Sequence, residues 1–246
     1  TLKLDAYIPK GEGPFPAVLV VHGGAWRMGS KGQLGMYARG LAKRGYVSFA
    51  INYRLAPEHK SPAQTEDCRD AVRWIRLSGP DYKADPNRIG AMGYSAGGHL
   101  VSMLATTGLG KEEDPEGIGT RIVAAVAGGA PTDFRTVREN SRSLSYWFGG
   151  KRKDEPEAYA ADSPNAFVDE NDSPIFFYNG SIDVMVHPEK HPTIGFLGPT
   201  ALHESLKAAD VETDLYIAKG AGHMAMLLNR KARNAAYAFL DRHLKP

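Results

Sequence analysis

Short apolar runs alternate with longer amphipathic stretches along the chain. Leu2, Leu4, Ala6 and Ile8 alternate at period two, which predicts a half-buried edge strand. Residues 17–21 form a continuous apolar run, as expected of a strand buried on both faces. The runs at 46–51, 89–92, 122–127, 175–178 and 215–218 read the same way. The stretches between them predict helices. One, at 34–44, stops at Gly45, a residue suited to a helix C-terminus. Another, at 62–77, opens on Pro62 and stops before Ser78-Gly79-Pro80. Helices at 96–107, 200–209 and 226–244 complete the set. In the last, Ala232, Ala235, Ala236, Phe239, Leu240 and His243 fall at helical spacing.

Strand and helix in alternation predict βαβ units. The fold class is therefore α/β: a doubly wound, mostly parallel sheet of about seven to eight strands with helices on both faces. A single domain over 1–246 is expected, with no repeat and no low-complexity linker. The exception to the pattern is 140–173, which is polar, charged and rich in proline but contains Tyr146-Trp147-Phe148. So long an irregular stretch predicts a lid-like excursion.

Composition narrows the classes. Of 246 residues, 42% are hydrophobic and 24% charged, which excludes a disordered chain. Lys and Arg number 30 against 28 Asp and Glu, a net charge of +2, which predicts neither a nucleic-acid nor a membrane partner. Cys68 is the single cysteine, so neither an internal disulfide nor a thiolate metal cluster is expected. The apolar runs fall far below the ~20 residues that cross a bilayer. A soluble protein is expected. The chain begins at Thr1 without an initiator Met, which leaves its compartment open.

The most specific chemical feature is Gly93-Tyr94-Ser95-Ala96-Gly97, lying between a predicted strand and a predicted helix. A serine on such a tight turn is held above the sheet at the positive end of a helix, as a nucleophile requires. The N–H of Ala96 supplies one oxyanion donor, and the second should come from Val20-Val21-His22-Gly23-Gly24-Ala25-Trp26 at the end of an earlier strand. His22 reads as a residue that orients this loop. A base and an orienting acid should follow late strands, and Asp183 and His223 do so. Asp133 and Asp162 are competing acids, the first read as capping a short helix and the second as lying in the excursion. His99 reads as packed in the nucleophile helix. His187 and His191 have a metal-ligand spacing, but Pro188 and Pro192 argue against a helix there, so they read as loop residues. Cys68 reads as a packed helix residue. Asn179-Gly180-Ser181 is a formal glycosylation sequon, discounted because it sits at the expected active site.

Together these segments resemble the α/β-hydrolase carboxylesterases, within them the esterases related to bacterial feruloyl and acetylxylan esterases. The likeness is carried by His22-Gly23-Gly24-Ala25-Trp26, Tyr53-Arg54-Leu55-Ala56-Pro57, Gly93-Tyr94-Ser95-Ala96-Gly97-Gly98-His99-Leu100 and Trp147-Phe148-Gly149-Gly150. Glu157-Ala158-Tyr159, Ser163-Pro164 and Gly220-Ala221-Gly222-His223 extend it. The resemblance implies the triad Ser95, Asp183 and His223, with the amides of Gly24, Ala25 and Ala96 as oxyanion hole. Two departures stand out. Asn179-Gly180 replaces a frequent His-Gly, and the segment 185–200 is longer than usual. With the His22 loop so near Thr1, no N-terminal cap domain is expected. An open cleft then follows, with Trp26, Trp147 and Phe148 as a wall for a sugar or feruloyl ring. The expected activity is serine-based hydrolysis of short-chain acyl or polysaccharide-linked esters, without a metal or organic cofactor. An arylformamidase-like amide hydrolase and a non-catalytic binding protein on the same scaffold are the alternatives. A monomer or small homo-oligomer is expected.

Overall fold

The computed structural model describes residues 2–245. One sheet holds strands β1 (Leu4–Tyr7), β2 (Phe15–Val21), β3 (Val47–Ile51), β4 (Ala84–Tyr94), β5 (Ala125–Gly128), β6 (Ile175–Gly180) and β7 (Thr213–Ala218). Their order is β1-β3-β2-β4-β5-β6-β7. β1 runs antiparallel to β3 at the edge, and every other pair is parallel. Helices α1 (Gly35–Lys43), α2 (Ala63–Ser78), α3 (Ala96–Thr107), α4 (Ser145–Phe148), α5 (Pro156–Ala161), α6 (Pro199–Ala208), α7 (His223–Met226) and α8 (Arg230–Leu244) connect or follow the strands.

The apolar runs are continuous because each sheet face has its own core. Ala17, Leu19 and Val21 of β2 enter one core with Cys68, Val72 and Ile75 of α2 and Leu100 and Leu104 of α3. Val18 and Val20 enter the other with Leu41 of α1 and Phe239 and Leu240 of α8. No helix among the described residues is long and apolar enough to cross a membrane.

Three elements differ from the sequence reading. β4 begins at Ala84, because the polar stretch 84–88 lies in extended conformation and Ala84 pairs with Phe15 before a register shift. The expected helix 226–244 begins only at Arg230, after the separate short helix α7. The Asn229 side chain accepts from the Ala232 amide at 3.0 Å, so α8 starts afresh there. The segment 140–173, expected as a lid-like excursion, is a docked part of the body. Trp147 and Tyr159 are fully buried, and buried Asp162 accepts hydroxyl bonds from Ser61 and Thr65 of the α2 entry.

Candidate active site

Ser95 joins β4 to α3 with φ +57° and ψ −122°, a conformation that costs a side-chain-bearing residue about 1–3 kcal/mol. Close packing enforces it. A Cβ on Gly97 would stand 2.1 Å from the Val21 carbonyl oxygen, and one on Gly93 would stand 2.1 Å from that of Gly97. Only glycine lets α3 approach the sheet this closely. The Ser95 amide donates to the Gly128 carbonyl at 2.7 Å, and its own carbonyl accepts the first bond of the helix from His99 at 3.0 Å.

The loop after β2 is strained as well. Gly24, Ala25 and Trp26 have φ of +116°, +50° and +58°. A Cβ on Gly24 would meet the Met28 carbonyl oxygen at 2.1 Å. The amides of Gly24, Ala25 and Ala96 donate to no described residue, which leaves three N–H groups free at one place. The loop is held from outside. Tyr146 donates to the Ala25 carbonyl at 2.9 Å, and the Ala56 amide donates to that of Trp26 at 2.9 Å. His22 stacks on Tyr53 at 4.2 Å and gives its Nδ1–H to the Gly23 carbonyl at 2.7 Å. Burial pushes the His22 ring below its usual pKa, so it stays neutral.

Asp183 and His223 come from the turns after β6 and β7 and meet at 2.6 Å, Oδ2 to Nδ1. The other Asp183 oxygen accepts the amides of Met185 and Val186 at 2.9 and 2.8 Å. The carboxylate is thus fixed on both oxygens and is fully buried. An ionised carboxylate only accepts, so the His223 proton sits on Nδ1 and Nε2 carries the free lone pair. Tyr94 donates to the His223 carbonyl at 2.5 Å, which ties the residue before Ser95 to His223. Burial raises the Tyr94 pKa, so the phenol remains a donor.

Ser95, His223, Gly23, Gly24 and Ala25 line one cavity of about 290 Å³ together with Met28, Leu34, Met185, Met224 and Leu227. A larger cavity of about 660 Å³ lies at the other end of α3, beside Thr106 and Thr107. It holds none of the residues described above.

The structure moves the expected aromatic wall. Trp26, Trp147 and Phe148 do not line the Ser95 cavity; they are 4%, 0% and 4% exposed and belong to the core. Trp26 stacks on Trp147 at 3.7 Å and donates to His99 Nδ1 at 3.2 Å. Neutral His99 passes its Nε2–H to the Asp162 carbonyl at 2.7 Å. The aromatics therefore anchor the strained loop and cannot present a face to substrate. Asp133 caps no helix: it accepts from Arg135 and Asn165. His187 and His191 each accept local amides on Nδ1. Asn179 is fully buried and donates to the Val186 carbonyl at 3.0 Å, which places it as a prop of the acid loop and away from any glycan. Cys68 is buried. Tyr94 and Tyr146 escaped the sequence reading, since their hydroxyls reach partners 129 and 121 residues away.

Known proteins resemble this chain in sequence and fold. The sequence model of the BD-FAE family matches residues 4–194. Esterase LipC of Mycobacterium tuberculosis is 31% identical over 187 residues, 72% of this chain and 46% of LipC. LipM of the same organism, a probable carboxylic ester hydrolase, is 30% identical over 71% of this chain and 42% of its own. The chain thus spans about half the length of these curated relatives. Esterase Est2 of Thermogutta terrifontis superposes with a TM-score of 0.81 at 26% identity, over 100% of this chain and 89% of Est2. A truncated carbohydrate esterase from gut microbiota shares the fold, with a TM-score of 0.84 at 23% identity over 99% of this chain and 91% of its own. The fold is the α/β-hydrolase fold, and the chain belongs to the BD-FAE family.

Proposed function

We propose that this BD-FAE family chain hydrolyses carboxylic esters through an acyl-enzyme on Ser95, with His223 as base, Asp183 as its orienting acid and the Gly24, Ala25 and Ala96 amides as oxyanion hole. The observation that carries the reading is the His223–Asp183 bond of 2.6 Å on the same cavity as the strained Ser95. Nε2 of His223 removes the Ser95 proton as Oγ attacks the ester carbonyl. The carbonyl oxygen gains charge and meets amides that are already aligned, each supplying about 3 kcal/mol. The alkoxide leaves with the proton from His223, and water repeats the sequence to release the acid. Asp183 stays ionised throughout and stabilises the imidazolium.

The cavity walls favour an aliphatic group over a sugar. Met28, Leu34, Met185, Met224 and Leu227 are flexible or branched apolar side chains that outnumber the polar Arg27 and Gln33, while Trp26, Trp147 and Phe148 are buried in the core. Small-molecule esters with short acyl groups are the proposed substrates. Est2 has been solved with propionate and with butyrate bound, and phosphorylated by paraoxon, which supports this range. Turnover of p-nitrophenyl butyrate by the wild type, lost in Ser95→Ala, together with one equivalent of fluorophosphonate bound at Ser95, is the expected result. A folded Ser95→Ala protein with wild-type turnover refutes it.

A further inference from the structure

Four of the five most exposed large apolar side chains lie on the segments that follow β6 and β7, the exception being Leu77 at the end of α2. Val184 is 78% exposed, Leu228 73%, Met224 64% and Ile182 60%. Met224 lines the mouth of the Ser95 cavity with Met28 and Met185, themselves both 55% exposed. Val184 precedes Met185 in the chain, and Leu228 follows the cavity residue Leu227. The Ile182 amide donates to the Ala221 carbonyl at 3.2 Å, which joins the acid loop to the histidine loop. Met28, Met185 and Met224 form an apolar collar at the cavity, which Val184 and Leu228 extend along the chain. Single exposed apolar side chains are ordinary, whereas a contiguous set marks a contact surface.

The collar has a cationic margin. Arg27, Lys219, Arg230 and Lys231 are exposed, and none of them pairs with a carboxylate among the described residues. On the stretches 23–34, 181–198 and 219–230, Asp183 is buried and Glu189 is the one exposed carboxylate. The net charge of +2 averages this asymmetry away.

We infer that this face docks on a bilayer carrying anionic phospholipid, with the Ser95 cavity opening toward the lipid. Apolar side chains enter the boundary between headgroups and acyl chains, and the surrounding Arg and Lys side chains meet the phosphates. That docking serves ester turnover rests on the proposed function; docking itself does not.

Sedimentation with vesicles separates the two. The protein is expected to sediment with phosphatidylglycerol–phosphatidylcholine vesicles, more weakly with phosphatidylcholine alone, and less as salt is raised. The double variant Val184→Ser, Leu228→Ser should bind roughly tenfold more weakly or worse. The double variant Arg230→Glu, Lys231→Glu should lose at least about fivefold per residue. Ser95→Ala should bind as the wild type does, so a failure of the chemistry leaves the docking result intact. Turnover of soluble p-nitrophenyl acetate in the serine double variant reports that it is folded. Absence of sedimentation with either vesicle overturns the inference, as does binding that neither double variant weakens. So does a dimer at micromolar concentration that the serine double variant dissociates, since a second copy would then cover the collar.

Discussion

At its N-terminal end α3 starts from a strained Ser95 and faces amides with no partner, whereas at its C-terminal end the charges are matched. There Arg69 bridges Glu66 and the Thr107 hydroxyl, and Arg73 makes a forked bond to Asp114 at 2.6 and 3.1 Å. Asp114 also accepts the amides of Ile118 and Gly119, which closes the loop after α3. The Arg73 guanidinium holds the Asp114 carboxyl well below the usual carboxylate range. The larger cavity lies at this second end and the smaller one at the first. Volume therefore does not single out the proposed site; unpaired amides and backbone strain do, because fixed donors are placed for charge that develops on a substrate oxygen.

The sharpest test removes the nucleophile. Ser95→Ala should lower kcat on p-nitrophenyl butyrate by at least about 10⁴-fold while leaving circular dichroism unchanged. Ser95→Gly should lose the same activity and gain about 1 kcal/mol in urea unfolding, because glycine relieves the positive φ. A Ser95→Gly protein less stable than the wild type would contradict the strain.

Next comes the support beneath the oxyanion loop. Trp147→Ala removes the fully buried partner of Trp26, and a loss of about 3–5 kcal/mol is expected in urea unfolding. Kcat should fall with it in the protein that remains folded, since Trp26 would no longer hold Ala25. Unchanged kcat would make the aromatic stack purely structural.

Gly24→Ala is expected to cost about 10²-fold in kcat, as its Cβ pushes the loop off the Met28 carbonyl. Tyr146→Phe takes one hydrogen bond from the Ala25 carbonyl and should reduce kcat about fivefold, with KM nearly constant.

The smallest effect belongs to the far end of α3. Burial pushes the Asp172 carboxyl, on the wall of the larger cavity, up to about 7. Its folded value lies above its unfolded one, so its contribution to stability is full below ~pH 4 and is lost as pH rises through 7. Asp172→Asn should stabilise the protein by about 1 kcal/mol at pH 8, after discount for its half-exposure, and leave pH 4 unchanged. Kcat should not move at either pH, since Asp172 lines a cavity separate from that of Ser95.

The order of strands and the positions of Ser95, Asp183 and His223 were readable because each depends on a local pattern. Every one of the three follows an apolar run that becomes a strand, and strand ends of a parallel sheet share an edge. The start of β4 was hidden because Asp85, Asn87 and Arg88 are polar and only Ala84 of the stretch 84–88 pairs with β2. The break before α8 had a signal in Asn229, a cap residue, which the longer helical periodicity overrode. Trp26, Trp147 and Phe148 were misplaced because adjacency of aromatics does not state which way they point.

Sequence alone determined the alternating architecture and the strand ends that carry Ser95, Asp183 and His223, because hydrophobic period and turn chemistry act over a few neighbouring residues. Tertiary structure decided what surrounds them. The docking of 140–173 sent the aromatics inward beneath the Gly24 loop, and the segments after β6 and β7 leave Val184, Met224 and Leu228 exposed. Both outcomes depend on contacts between segments far apart in the chain, where burial is settled by which surfaces meet and not by the identity of a residue's neighbours in sequence.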